Sequence, residues 1–179
     1  MIKLFADGAD KQGILEMYKN PSIDGFTTNP TLMRKAGITD YVTFAKEILD
    51  EITDKPVSFE VFADEYKEME QQALKISKWG ENVYVKIPVM NTKMMPSYEL
   101  IRHLSLKGVK INITAIMTLE QVRMVSESVI GGPSCFVSVF AGRIADTGVD
   151  PVPLMRQALK ILKIAPNAEL LWASPREVL

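Results

Sequence analysis

Cysteine and histidine are almost absent from this chain of 179 residues. Cys135 and His103 are the single examples of their types. One cysteine cannot form an intrachain disulfide, and one cysteine with one histidine cannot supply the ligand cluster of a zinc site. His103 lies in a helical pattern of apolar residues, so we interpret it as a structural or surface histidine. Catalytic triads built on histidine are therefore disfavoured.

Long apolar runs and blocks of one charge are also absent. No apolar run approaches the roughly 20 residues of a transmembrane helix, and Asp7 lies where a signal peptide would continue its apolar region. The 21 basic and 22 acidic side chains nearly balance, and no basic block is present that would neutralise a nucleic-acid backbone. We therefore expect a cytoplasmic protein that binds neither nucleic acid nor membranes.

Apolar residues make up 47% of the chain, enough for one domain with a core. Short β-branched or aromatic runs predict strands at residues 2–6, 23–27, 57–61, 83–87, 109–113, 134–140 and 169–173. Amphipathic stretches predict helices at residues 11–19, 39–52, 65–79, 98–107, 119–129 and 152–164. Because no linker or low-complexity tract separates these elements, residues 1–179 are predicted to form a single domain.

The alternation of strand and helix predicts a parallel sheet covered by helices. A glycine-rich phosphate loop, typical of nucleotide-binding doubly wound folds, does not follow the first strand. Polar residues instead occur near the carboxyl ends of nearly all strands, as in a TIM-type (β/α)8 barrel. Only about seven strands are predicted, so strands one and seven would have unpaired edges. Three explanations stay open: a natural short form, a fragment, or a chain completed by a partner.

Residue parity within the strands predicts which side chains face the barrel interior, since successive side chains point to opposite faces. Valine and isoleucine at positions 83, 85 and 87 would face the helices, which turns Tyr84 and Lys86 inward. The same parity assigns interior positions on the other strands to Ser58, Glu60, Asn112, Thr114, Ser138 and Phe140. Further polar residues close the strands at their carboxyl ends: Asp7, Thr28, Asn29, Arg143, Ser174 and Arg176.

Lys86 is the least expected of these residues, because it lies within the apolar sequence VYVKIPV. A buried charge is costly unless it is paired, and Glu60 and Asp7 are inward acids on other strands. From parity alone, a functional lysine and a structural buried ion pair both explain the pattern. In the functional interpretation, apolar neighbours favour the neutral amine, which attacks a carbonyl and forms a Schiff base. Glu60 would then move protons through a water molecule.

Six segments of the chain resemble those of the transaldolase family, in order and on the expected strands. They are Phe26-Thr27-Thr28-Asn29-Pro30, Ser58-Phe59-Glu60-Val61, Val85-Lys86-Ile87-Pro88, Asn112-Ile113-Thr114, Ser138-Val139-Phe140-Ala141-Gly142-Arg143-Ile144 and Ala173-Ser174-Pro175-Arg176. The resemblance covers nearly the whole chain. It implies a class I aldol mechanism that uses no metal or other cofactor. Members of the family ordinarily continue through an eighth strand and a terminal helix.

The resemblance also implies a reaction of sugar phosphates in the pentose phosphate pathway. Lys86 would attack the C2 carbonyl of fructose 6-phosphate or sedoheptulose 7-phosphate and form a Schiff base. Glu60 and Thr114 would hold a proton-transferring water, and Asp7 would take the proton of the C4 hydroxyl. The dihydroxyacetone unit would then pass to an aldose phosphate such as erythrose 4-phosphate. The implied substrate-binding residues are Thr28, Asn29, Asn112, Ser138 and Phe140, with Arg143, Ser174 and Arg176 at the phosphate.

Two alternatives remain beside the transaldolase hypothesis. Fructose-6-phosphate aldolases share the fold and the lysine but release free dihydroxyacetone, and usually have Gln and Tyr where this chain has Glu60 and Phe140. A phenol would assist protonation and release of the enamine, which Phe140 cannot do. The second alternative, a non-catalytic sugar-phosphate-binding or assembly protein, is based on the missing strand, but the motifs up to strand seven are intact and favour an active transaldolase. Short transaldolases commonly form pentameric or decameric rings, so the resemblance implies a homo-oligomer.

Overall fold

The strands form one parallel sheet in the order of the sequence. A computed structural model describes residues 2–175, and within them each strand pairs with the next. The strands are β1 (Leu4–Asp7), β2 (Ile23–Thr27), β3 (Val57–Glu60), β4 (Val83–Pro88), β5 (Ile111–Ile116), β6 (Cys135–Val139) and β7 (Ala168–Trp172).

The sheet curls, so that its two ends approach each other. The rings of Phe5 on β1 and Phe136 on β6 meet edge to face, with centroids 5.1 Å apart. Lys3, just before β1, forms an ion pair of 2.7 Å with Glu169 on β7. Across residues 2–175 the hydrogen-bonded order still ends at β1 and β7, which are therefore the edge strands. The predicted fold class, a TIM-type α/β barrel with about seven strands, is confirmed.

Helices cover the outer face of the sheet. They are α1 (Lys11–Tyr18), α2 (Pro30–Lys35), α3 (Tyr41–Leu49), α4 (Tyr66–Ile76), α5 (Tyr98–Leu106), α6 (Leu119–Val129), α7 (Ala141–Ala145) and α8 (Pro151–Ile161), which a 3-10 turn (Leu162–Ile164) extends. Beneath them the outward side chains of the strands, such as Phe59, Val85 and Ile113, are completely buried. Among residues 2–175, no helix is long and apolar enough to cross a bilayer.

Two short helices, α2 and α7, were not predicted from the periodicity, because each spans fewer than two full turns. The start of α2 nevertheless carries a local signal. The Asn29 side chain accepts a hydrogen bond from the Leu32 N–H, and Pro30 occupies the first helical position, where its missing N–H costs nothing. This cap fixes the chain direction directly after β2, at the carboxyl end of the sheet.

Candidate active site

The strand register brings the predicted polar residues onto one interior face. Lys86 on β4 is paired directly with Glu60 on β3 and with Asn112 on β5. Directly paired residues of parallel strands point to the same face of the sheet. Val85 and Ile87, on either side of Lys86, are completely buried beneath the helices. The register therefore agrees with the predicted parity, and Lys86 lies toward the carboxyl end of its strand.

The amine of Lys86 is held by two oxygen atoms. Its Nζ donates a hydrogen bond of 2.8 Å to the backbone carbonyl of Thr28. The same Nζ lies 3.3 Å from Oε2 of Glu60, and the two side chains are only 11% and 20% exposed. This distance allows a proton to pass directly between amine and carboxylate, in addition to the water-mediated route that the sequence suggests.

Asp7, at the end of β1, is oriented by residues at the end of β2. The Thr27 hydroxyl donates to Oδ1 of Asp7 at 3.0 Å, and the Asn29 amide donates to Oδ2 at 3.3 Å. Both carboxylate oxygens therefore have a partner, which fixes the plane of the group. The completely buried Thr28 donates its hydroxyl to the Ser58 carbonyl. Thr28 thus presents its backbone carbonyl, and not its hydroxyl, to Lys86.

A buried chain of hydrogen bonds fixes the amide of Asn112. The Ser138 hydroxyl donates to Oδ1 of Asn112 at 2.6 Å, and Nδ2 of Asn112 donates to the Ser58 hydroxyl at 3.0 Å. All three side chains are nearly or completely buried. Thr114, two residues further along β5, is also buried and is paired in register with Pro88 on β4. This side of the site is therefore rigid and polar, as suits the binding of substrate hydroxyls.

The residues predicted to bind phosphate lie at the ends of β6 and β7. Arg143 is exposed in α7, and its guanidinium carbon lies 5.4 Å from the centre of the Phe140 ring. Ser174 follows β7 and adopts a left-handed conformation with φ of 57°. Arg176 lies outside the described residues. Arg143 and Ser174 are thus at the same end of the sheet as Lys86.

Two contributing residues, Thr27 and Tyr41, are not among those predicted from the sequence. Tyr41 is the first residue of α3, and its hydroxyl accepts a hydrogen bond of 2.7 Å from the Glu60 N–H. It also donates to the Glu60 carbonyl at 3.1 Å. Burial raises the pKa of the Tyr41 hydroxyl well above its ordinary range, so the group is neutral at physiological pH. The polar residues at the end of β2 indicate Thr28 and Asn29, whereas alternation along β2 would also indicate Thr27.

The opposite end of the sheet contains a charged cavity of about 430 Å³. Its lining residues include the ion pair of Lys3 with Glu169, and Lys110, whose Nζ donates to the Glu81 carbonyl. The Phe5 ring also lines this cavity and packs closely on Gly25, where an added Cβ would lie 2.5 Å from the ring. The lysines at this end are engaged in structural contacts. The candidate site is therefore the other end of the sheet, beside Lys86.

Comparisons with known proteins agree with the motifs. A family model described as Transaldolase/Fructose-6-phosphate aldolase matches residues 4–179. A probable transaldolase of Dehalococcoides mccartyi is 35% identical over 162 residues, which is 90% of this chain and 71% of the relative. A probable transaldolase of Streptococcus equi subsp. zooepidemicus is 36% identical over 176 residues, which is 98% of this chain and 78% of the relative. The family predicted from the sequence is confirmed.

A solved structure of dihydrodipicolinate synthase from Rhodopseudomonas palustris resembles this chain in fold. The TM-score is 0.52, with 13% sequence identity and coverage of 96% of this chain and 70% of that one. At this identity the likeness concerns the fold alone. The motifs, the interior site and the sequence relatives together give the more specific conclusion: the chain belongs to the transaldolase/fructose-6-phosphate aldolase family.

Proposed function

We propose that the chain is a transaldolase that moves a dihydroxyacetone unit between sugar phosphates through a Schiff base on Lys86. The donor would be fructose 6-phosphate or sedoheptulose 7-phosphate, and the acceptor an aldose phosphate. The observation that carries the proposal is the buried contact between Lys86 and Glu60 at the carboxyl end of the sheet. A class I aldol reaction needs an amine nucleophile with an acid–base group beside it, and this pair supplies both.

Schiff-base formation begins with the transfer of a proton from the Lys86 ammonium to Glu60. The neutral amine then attacks C2 of the ketose phosphate, and the carbonyl oxygen becomes the hydroxyl of a carbinolamine. Glu60 returns a proton to this hydroxyl, which leaves as water, and a protonated imine remains on Lys86. Thr114, two residues beyond the Asn112 partner of Lys86, would hold the water that assists these transfers.

Cleavage of the C3–C4 bond requires a base at the C4 hydroxyl, and Asp7 suits this role. When Asp7 removes the proton, C4 becomes an aldehyde and the bonding electrons move into the imine to give an enamine. From fructose 6-phosphate, glyceraldehyde 3-phosphate departs. The enamine then attacks the aldehyde of erythrose 4-phosphate, Asp7 returns its proton to the new alkoxide, and hydrolysis frees sedoheptulose 7-phosphate. The hydrogen bonds from Thr27 and Asn29 would orient Asp7 for both steps.

Substrate binding is proposed for the remaining polar residues of this end. Asn29, Asn112 and Ser138 would hold the hydroxyls of the dihydroxyacetone unit. Asn112 is paired with Lys86 and bonded to Ser138, and Asn29 is bonded to Asp7 at the same end of the sheet. Arg143, Ser174 and Arg176 would hold the phosphate, since guanidinium groups engage phosphate oxygens bidentately. Thr28 would contribute through its carbonyl, and Phe140 through its ring.

Transfer is favoured over release of free dihydroxyacetone by Glu60 and Phe140. A phenol at position 140 would supply a proton to the enamine, whereas the Phe140 ring has none to give. The enamine would therefore persist until an acceptor aldehyde arrives. We place this reaction in the cytoplasmic pentose phosphate pathway, and we propose a ring-like homo-oligomer, which light scattering on the purified chain would detect as a pentamer or decamer.

Trapping of the intermediate tests the catalytic step. The protein is incubated with fructose 6-phosphate and sodium borohydride, digested and analysed by mass spectrometry. We expect a reduced dihydroxyacetone adduct on the peptide that contains Lys86. If the folded protein gives no adduct, the catalytic proposal is wrong; a ligand-induced rise in melting temperature without an adduct would indicate the non-catalytic sugar-phosphate-binding alternative.

Product analysis separates transfer from release. With fructose 6-phosphate and erythrose 4-phosphate together, a transaldolase forms sedoheptulose 7-phosphate and glyceraldehyde 3-phosphate. With fructose 6-phosphate alone, a fructose-6-phosphate aldolase accumulates free dihydroxyacetone. Predominant free dihydroxyacetone in the presence of acceptor would replace our assignment by the aldolase alternative.

A further inference from the structure

The hydrogen-bond ladder between β2 and β3 is interrupted beside the candidate active site. The Phe26 N–H donates to the Pro56 carbonyl at 2.8 Å, and two residues later the Thr28 N–H donates to the Ser58 carbonyl at 3.1 Å. A regular parallel ladder would continue with a bond from the Glu60 N–H to the Thr28 carbonyl. The Glu60 N–H instead donates to the hydroxyl of Tyr41 at 2.7 Å.

The interruption leaves the Thr28 carbonyl available to a side chain. That carbonyl accepts the hydrogen bond of 2.8 Å from Nζ of Lys86. Two backbone groups that would bond to each other in a regular ladder are thus bonded to two side chains, Tyr41 and Lys86. Buried backbone groups require partners. If only one of these two side-chain contacts formed, the other backbone group would be left without a partner.

Packing holds the Tyr41 ring in place. It meets Phe59 at 6.0 Å between ring centroids, Trp79 at 5.5 Å and Phe62 at 4.8 Å, each edge to face. Asp40 caps the helix in front of it by accepting hydrogen bonds from two backbone N–H groups. The Tyr41 ring therefore has little freedom to move, and its position on a helix outside the barrel holds the hydroxyl beside the Glu60 backbone.

We propose that Tyr41 is a positioning residue for the aldol reaction. Its hydroxyl accepts the hydrogen bond of the Glu60 N–H, so that the Thr28 carbonyl is left to accept the hydrogen bond of the Lys86 amine. The inference rests on the proposed function. Tyr41 touches no reacting atom and acts through Thr28 and Glu60. In this position the Lys86 amine lies 3.3 Å from the Glu60 carboxylate, and proton transfer requires this contact.

The experiment compares Tyr41→Phe with Tyr18→Phe. Tyr41→Phe keeps the ring packing and removes only the hydroxyl. Tyr18 also donates its hydroxyl to a single acceptor, Asp54, and packs edge to face on Phe26. It belongs to α1 and, within residues 2–175, forms no hydrogen bond or ring contact with Lys86 or Glu60. The readouts are the single-turnover rate of borohydride-trapped adduct on Lys86 and the steady-state KM for fructose 6-phosphate.

We expect Tyr41→Phe to lower the single-turnover rate about tenfold, the equivalent of one hydrogen bond, with KM changed by less than about twofold. Tyr18→Phe should leave both quantities near the wild-type values. An unchanged rate in Tyr41→Phe would overturn the proposal, and so would an equal loss in both variants, since it would indicate a general packing effect. Failure of the proposed function is recognised separately, because the wild type itself would then give no adduct.

A crystal structure of Tyr41→Phe gives a readout that does not depend on turnover. We expect the Glu60 N–H to bond to the Thr28 carbonyl and the Lys86 amine to leave that carbonyl. If Nζ of Lys86 keeps its hydrogen bond to the Thr28 carbonyl in the variant, that bond does not depend on the Tyr41 hydroxyl and the proposal is wrong.

Discussion

Lys86 and Glu60 are direct neighbours in the register of β4 and β3, and their charged atoms lie 3.3 Å apart on the interior face of the sheet. A buried ion pair of this kind contributes little net stability, because the loss of hydration offsets most of the attraction. A pair of apolar residues at these positions would stabilise the core at least equally. The chemistry of an amine beside a carboxylate is therefore the better explanation of why the chain has them.

Lys86→Met should abolish the Schiff base while Lys110→Met retains it. Both lysines lie on inward positions, but Lys110 is at the amino end of β5, where its Nζ donates to the Glu81 carbonyl. Methionine preserves most of the side-chain volume and removes the amine. The measurement is the borohydride adduct with fructose 6-phosphate, with circular dichroism to verify folding. An adduct that persists in folded Lys86→Met would place the nucleophile elsewhere.

Phe140→Tyr should shift the reaction from transfer toward release. The new phenol can donate a proton to the enamine, which then hydrolyses to free dihydroxyacetone before an acceptor binds. We expect the ratio of free dihydroxyacetone to sedoheptulose 7-phosphate to rise severalfold. Phe5→Tyr, a partly exposed position at the opposite end of the sheet, is the control and should leave the ratio unchanged. If Phe140→Tyr gives the same ratio as the wild type, the absence of a phenol at position 140 does not explain transfer.

The interior face of the site could be predicted from the sequence because the strands alternate regularly. Valine, isoleucine and phenylalanine at every second position identify the outward face, so Glu60, Lys86 and Asn112 follow by parity. Tyr41 could not be predicted this way. Its role depends on a hydrogen bond missing between two strands, and a single tyrosine at the start of a helix carries no periodic signal of such a gap.

Strand ends were the less predictable part of the fold, as β5 illustrates. The apolar pattern predicts a start at Val109, but the strand begins at Ile111. Gly108 adopts a φ of 80°, and the Val109 N–H donates back to the Leu104 carbonyl, which ends α5 with a Schellman-type cap. Val109 is thus buried as part of a helix terminus. Its apolar character alone does not distinguish that environment from a strand.

Asn112→Ala should destabilise the fold as well as impair substrate binding. The substitution removes the amide that bonds to both Ser58 and Ser138, and it leaves these two hydroxyls buried without that partner. We expect a loss of about 2 to 3 kcal/mol in the free energy of unfolding, measured with urea. In a double-mutant cycle with Ser138→Ala, the two effects should be less than additive. Strict additivity would show that the two side chains are not energetically coupled.

Cys135 should resist thiol reagents as long as the chain is folded. Burial raises the pKa of this thiol from its ordinary value of 9.0 to about 12. The fraction of reactive thiolate at pH 8 is then roughly three orders of magnitude lower than in the unfolded chain. Labelling with iodoacetamide should therefore be very slow in buffer and rapid in urea. Rapid labelling of the native protein would mean that the start of β6 opens readily.

The ion pair of Lys3 with Glu169 links residues beside or on the two edge strands, yet its replacement should cost little. Both side chains are about half exposed, and an ion pair of this exposure contributes roughly 0 to 1 kcal/mol. We expect Lys3→Met to lower the free energy of unfolding by no more than that, similar to Lys11→Met, which removes the comparably exposed pair of Lys11 with Glu47. The hydrogen bond to Glu169 raises the pKa of Lys3, with burial acting in the opposite direction.

The sign of the pH dependence follows from this raised pKa. The contribution of the pair is complete below the ordinary pKa of lysine and is lost as the pH rises through the higher value of the folded state. The stability difference between wild type and Lys3→Met should therefore vanish at strongly alkaline pH and shrink with added salt. A loss well above 1 kcal/mol at neutral pH would instead mean that this pair holds β1 against β7. In that case the curl of the sheet, and with it the position of Asp7, would depend on an ion pair at the opposite end of the barrel from Lys86.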